Sequence, residues 1–205
     1  MNRFLTVFLI SFISTTSIFS QSQSEIKERI ISAIKSTNTI ECNFSQTKHL
    51  KILKQELSAK GKLFFTDTDC IRWQYTSPQS YSIVINRNKM LVESDKNKTI
   101  TDINKNRIAR EIAKIMKQAL QGNFLQKEDE FEVSIVNNNS SMEITLKPKK
   151  QEIKRMFSLI KLYVSHSTYM INRVEISERS GDLTTISFSN IKRNTTIDTK
   201  VFKID

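Results

Sequence analysis

Glycine, proline, histidine and cysteine are all scarce in this sequence: three, two, two and two residues among 205. Nucleotide-binding loops need several glycines close together, and Gly61, Gly122 and Gly181 stand far apart. That removes the usual supports of nucleotide-dependent catalysis. His49 and His166 are isolated, and the spacing of Cys42 and Cys70 fits no zinc motif. No serine sits in a G-x-S-x-G elbow beside a base. Carboxylates gather as Asp67 with Asp69, Glu128 with Asp129 and Glu130, and Glu175 with Glu178, a spacing that suits solvated turns and an exposed strand face. The reading is of a chain with no catalytic residue, metal or cofactor. Turns fall to Asn, Asp and Ser, as in Asn86-Arg87-Asn88 and Asn137-Asn138-Asn139.

The N-terminus carries an apolar run from Phe4 to Phe19 after Arg3, broken only by Ser and Thr. That pattern is an export signal spanning residues 1–22, with small residues Ser20 and Ser22 offering two cleavage points. No cysteine follows the run, so there is no site for a lipid anchor, and the apolar stretch is short for a bilayer span. The expected mature chain, 23–205, has a length suited to one domain. In an oxidising compartment a disulfide between Cys42 and Cys70 is permitted but not demanded. Export, together with the lack of any nucleic-acid motif, excludes nucleic acid as a partner of this basic chain, whose formal net charge is +11. The charge is read first as a solvated lysine-rich surface and second as attraction to anionic membranes.

Hydropathy patterning then orders the chain. Ser24 can cap a helix with an apolar stripe of Ile26, Ile30, Ile31 and Ile34, ending near Asn38. After it the period drops to two. Ile40, Cys42, Phe44 and Gln46 share one face, and the next strand turns at or before Gly61. The strand "CIRWQYTSP" sets Ile71, Trp73 and Tyr75 on one face and Cys70, Arg72 and Gln74 on the other. A hairpin around Asn86 to Asn88 follows. One helix interrupts the strands, with Ile108, Ile112, Ile115, Met116, Ala119 and Leu120 at helical spacing and Gly122 as its stop. From Phe131 onward strands resume and include a terminal "VFKI". The pattern predicts a mainly β domain with some α: one large, curved antiparallel sheet holding two helices on its concave face.

The ordered set "CNFSQ", "GKLFF", "CIRWQYTSP" and "YSIVINRNKML", with "LKPK" at 146–149 and the closing "VFKI", resembles the LolA family of periplasmic lipoprotein carriers. The resemblance implies a half-open, strongly curved antiparallel β-barrel of about ten or eleven strands with a helical lid. It also implies a soluble, monomeric periplasmic carrier that takes acylated lipoproteins from an ATP-driven inner-membrane release complex to an unidentified outer-membrane acceptor. Each acyl CH2 withdrawn from water is worth roughly 0.8 kcal/mol, so such cargo needs shielding and no chemistry.

On this resemblance Phe44, Leu63, Phe65, Ile71, Trp73, Ile83 and Ile85 would line the lipid cavity, and Ile112, Ile115, Met116 and Leu120 would form the lid's inner face. Plain core packing accounts for the same periodicity, and the inward parity of residues 63–65 is open. The family's Arg-Pro pair before the Trp strand, whose Arg holds the lid, is replaced here by Asp67-Thr68. With Arg72 expected at the surface, lid closure is expected to rest on apolar contact alone. Two other readings share the sequence: a carrier or sensor of another lipid or glycolipid on the same fold, and an exported hydrolase.

Overall fold

The computed structural model describes residues 16–126, 129–138 and 141–204; most of the stretch expected to be an export signal lies outside the described residues. Helix α1, Thr16–Lys35, starts before the Ser24 cap expected from sequence. Its stripe behaves as the spacing predicts, with Ile30, Ile31 and Ile34 buried. Five antiparallel hairpin connections then follow through β1 (Thr39–Leu50), β2 (Gln55–Thr66), β3 (Cys70–Ser77), β4 (Tyr81–Asn86), β5 (Lys89–Ser94) and β6 (Lys98–Asp102). Arg87 turns the β4–β5 hairpin with a left-handed φ of 54°. The turn before Gly61 is residues 51–54, and β2 runs straight through Gly61.

Helix α2 spans Arg107–Leu120, and the Asn106 side chain accepts the Ala109 N–H at 3.0 Å as its cap. A 3-10 turn, Asn123–Gln126, leads to β7 (Phe131–Asn137) and β8 (Met142–Pro148). A short helix α3 (Gln151–Met156), unforeseen in the sequence, precedes β9 (Phe157–Val164), β10 (Ile171–Glu178) and β11 (Leu183–Arg193).

All eleven strands form one antiparallel sheet in the order β6-β5-β4-β3-β2-β1-β11-β10-β9-β8-β7. The sheet curves without closing, so β6 and β7 are its edges. The chain between those two edges is α2 and its following turn, which pack on the concave face. The predicted terminal strand "VFKI" is instead a 3-10 turn, Thr199–Phe202, on the convex face. Phe202 is buried there against Val84 and Leu91, while Arg72 Nη1 donates to the Val201 carbonyl at 3.3 Å and Asn86 Nδ2 to that of Phe202 at 3.0 Å.

The concave face carries two apolar clusters. One joins α1 and the turn at Phe124 and Leu125 to Ile144, Leu146, Leu162 and Val164 of β8 and β9. The other joins Ala109 and Ala113 of α2 to Ile40, Leu63, Phe65, Ile71 and Ile85 of β1 to β4. Two separate cores under one curved sheet leave space between them.

Candidate functional site

That space is a cavity of about 340 Å³, at the small end of the roughly 300–1,000 Å³ usual for ligand sites. Its β1–β3 wall is Ile40, Cys42, Leu63 and Trp73. The opposite wall comes from β9 to β11, where Ile160 and Leu162, Val174 and Ile176, and Ile186 and Phe188 each alternate onto the concave face. Ile34, Met116, Leu120 and Phe124 cover it from the helical side, and Ile153, Met156 and Phe157 form its α3 end. Gln118 and Glu130 are the polar side chains of the lining. Glu130 is turned to Lys150, whose Nζ donates to Oε1 at 3.1 Å. The rest of the lining is apolar apart from the Cys42 thiol.

An aromatic corner stiffens the β1–β3 wall. The Phe44 ring lies 4.5 Å from Trp73 and meets Tyr75 edge-on at 5.2 Å, and Trp73 meets Phe188 at 6.3 Å. Gly61 makes this possible: a Cβ there would stand 2.5 Å from the Phe44 ring. The Tyr75 hydroxyl donates to Gln46 Oε1 at 3.1 Å. Trp73 Nε1, shielded from solvent, makes no hydrogen bond among the described residues. Burial pushes the Cys42 thiol up to about 12, so it lines the wall as a neutral, apolar group.

The sequence-predicted residues divide. Leu63, Trp73, Met116 and Leu120 line the cavity. Phe44 stands behind Trp73, only 2% exposed. Phe65, Ile71 and Ile85 are fully buried in the cluster that receives α2, with Ile83 partly buried beside them. The open parity resolves with Leu63 and Phe65 inward and Phe64 on the convex face. Ile112 is a correction: it is 37% exposed, because Ala109 and Ala113 occupy the contact line. Small side chains let a helix lie close to a sheet, and their line carries on to Met116 and Leu120. The Ile115 side chain lies outside the described residues. A polar contact also joins the lid, since Lys117 Nζ reaches Asp69 Oδ2 at 3.1 Å. The expectation of purely apolar closure is corrected accordingly.

The β9–β11 wall was missed in the sequence. Its alternation is present in the sequence, but the lining expected from the resemblance lies on residues 44–85 and the helix alone. Cys42 faces the cavity while Cys70 packs on the convex face, and both thiols are free. The carboxylates at Glu175 and Glu178 are engaged by Tyr163 and Lys48. Among the described residues no group of three or more His, Cys, Asp or Glu side chains could hold a metal. His166 Nε2 pairs with the Asn138 carbonyl at 2.9 Å in an exposed setting.

The family described as outer membrane lipoprotein carrier protein LolA matches residues 35–205. An outer-membrane lipoprotein carrier protein of Methylococcus capsulatus is 25% identical over 186 residues, covering 90% of this chain and 85% of the relative. Among solved structures, an uncharacterized conserved protein from Thermus thermophilus superposes with TM-score 0.54 at 12% identity, covering 89% of this chain and 93% of its own. The Mycobacterium tuberculosis lipoprotein LppX gives 0.51 at 11% identity, covering 85% and 97%. Those two likenesses speak for the fold. An unclosed eleven-stranded sheet around an apolar cavity, matched by the family profile over most of its length, makes this chain a member of the LolA family of lipoprotein carriers.

Proposed function

We propose that the chain is a periplasmic chaperone that takes the acyl chains of lipoproteins into its cavity and carries them between inner and outer membranes without chemistry. The observation that carries this reading is the apolar cavity between the two cores, covered by residues of α1, α2 and the turn after it. No helix among the described residues is long and apolar enough to cross a membrane. The names of the relatives favour lipoprotein cargo over other amphiphiles. Loading by an ATP-driven inner-membrane complex belongs to the same reading.

The cavity as it stands holds about 340 Å³. Full cargo therefore requires α2 to lift from the sheet, which extends the space along the β1–β4 cluster now filled by Ala109 and Ala113. Phe65, Ile71, Ile83 and Ile85 join the binding surface at that moment.

A fluorescent diacylated lipopeptide tests the reading. Wild type is expected to bind it and Ile176→Glu, a partly exposed lining residue, to lose at least about tenfold in affinity, since a carboxylate in hydrocarbon is costly. Equal binding by the two proteins would remove the cavity assignment. Mass spectrometry of copurified cargo separates lipoprotein from other lipid.

A further inference from the structure

The tip of the β1–β2 hairpin exposes an unusual amount of hydrocarbon. Ile52 is 83% exposed, Leu53 62% and Leu57 54%. Isolated exposed apolar residues are ordinary, but three within six positions at a turn, where polar residues are usual, are not. Lys51 and Lys54 bracket the Ile52-Leu53 pair, with Lys48 and Lys60 further along the two strands and Glu56 as the one acid between residues 48 and 60. Lys51 and Lys54 form no salt bridge among the described residues.

The tip is held in place. The Lys51 N–H donates to Asp182 Oδ1 at 3.0 Å, and the Lys51 stem lies 2.6 Å from where a Cβ of Gly181 would stand. Lys48 Nζ reaches Glu178 at 2.6 Å. The hairpin is therefore fastened to the β10–β11 turn. That turn adjoins α3, since the Arg179 N–H donates to the Met156 carbonyl at 2.9 Å, and Phe157 pairs with Glu178. Ile153, Met156 and Phe157 form one end of the cavity, and Met156 is itself 47% exposed. Along β2, Leu57, Ala59, Gly61 and Leu63 share a face, so an apolar track leads from the hairpin to the cavity wall.

We infer that this hairpin docks the protein on an anionic lipid bilayer, with Ile52 and Leu53 entering the acyl region, Lys51 and Lys54 at the headgroups, and the α3 end of the cavity turned to the membrane. The charge pattern favours a bilayer over a protein receptor. Lysines flanking branched aliphatics suit an interface where the stems lie along hydrocarbon and the ammonium groups reach phosphate. The tip offers no Trp, Tyr or Arg, the residues that dominate protein hot spots. Docking of this kind lets cargo pass between cavity and bilayer without crossing water, and it holds whichever lipid the cavity carries.

The test is co-sedimentation of the mature protein with protein-free vesicles of phosphatidylcholine, with or without phosphatidylglycerol at roughly one lipid in four. Wild type is expected to partition onto the anionic vesicles, less so as salt is raised. The double variant Ile52→Ser with Leu53→Ser should partition about tenfold or more weakly. Lys51→Gln with Lys54→Gln should lose severalfold on anionic vesicles and little on neutral ones. All are expected to keep the thermal midpoint and lipopeptide affinity of wild type, which separates this result from that of the cargo test. Failure of wild type to bind anionic vesicles, or equal binding by the Ile52 and Leu53 variant, would overturn the inference. Binding only to native membranes that retain their proteins would overturn it too, in favour of a protein receptor.

Discussion

Cys42 and Cys70 lie on strands of the same half of the sheet yet face opposite sides of it, one towards the cavity and one towards Phe202. A bond between them would have to cross the sheet, so oxidation is expected to leave the monomer without an internal disulfide. Burial holds the Cys42 thiol at about 12 against an ordinary 9.0. Its neutral form is thus favoured in the folded state. The resulting stability is full below about 9 and is lost as pH rises towards 12. Alkylation at about pH 8 followed by mass analysis should label the half-buried Cys70 and spare Cys42 until the protein unfolds. Gly61 is the other decisive position, because a Cβ there would meet the Gln74 carbonyl at 2.0 Å as well as the Phe44 ring. Gly61→Ala is expected to cost about 3 kcal/mol and lower Tm by roughly 6–12 °C in a thermal melt. In the sequence this glycine reads as a turn signal, since a strand glycine that accommodates a ring differs from a turn glycine only in three dimensions.

At the scale of elements, α2 is the part whose position decides what the cavity is. Among the described residues, the Ala109, Ala113, Met116, Leu120 line packs it against the sheet and the Lys117–Asp69 ion pair fastens it. Lys117 is 24% exposed at its side chain and Asp69 49%, so the pair contributes under about 1 kcal/mol. Lys117→Met should therefore raise amide hydrogen exchange in α2 by less than about fivefold. Ala113→Asp, which puts a carboxylate into the contact line, should raise it far more while β7 to β11 stay protected. Comparable exchange in the two variants would mean that the ion pair is the real fastening. The helix itself was legible from its period and from Gly122, while its Asn106 cap emerges only from the structure. Its rotation was not, because hydropathy ranks Ile112 above Ala113 while close packing prefers the smaller side chain. The strands from β1 to β5 were legible by alternation; β6, short and largely exposed, and α3, with no buried residue, carried no such signal.

For the whole molecule, the central feature is an antiparallel sheet that curves but does not close, with its two edges joined in sequence by the helix lying between them. A closed barrel would fill or seal its interior; this arrangement keeps an apolar space whose cover can move without unpairing a strand. The sequence revealed the sheet, the cover and the family, yet placed the cavity only on β1 to β4. Its other wall depends on how far the sheet curls, which brings β9 to β11 opposite Trp73 through long-range pairing that local patterns do not encode. The most direct test mixes the purified protein with spheroplasts and asks what leaves the membrane. Wild type is expected to release lipoproteins into the supernatant as an equimolar complex, and Ile176→Glu to release none. Absence of lipoprotein release by folded wild-type protein, with its cavity able to bind free acyl chains, would contradict the carrier account.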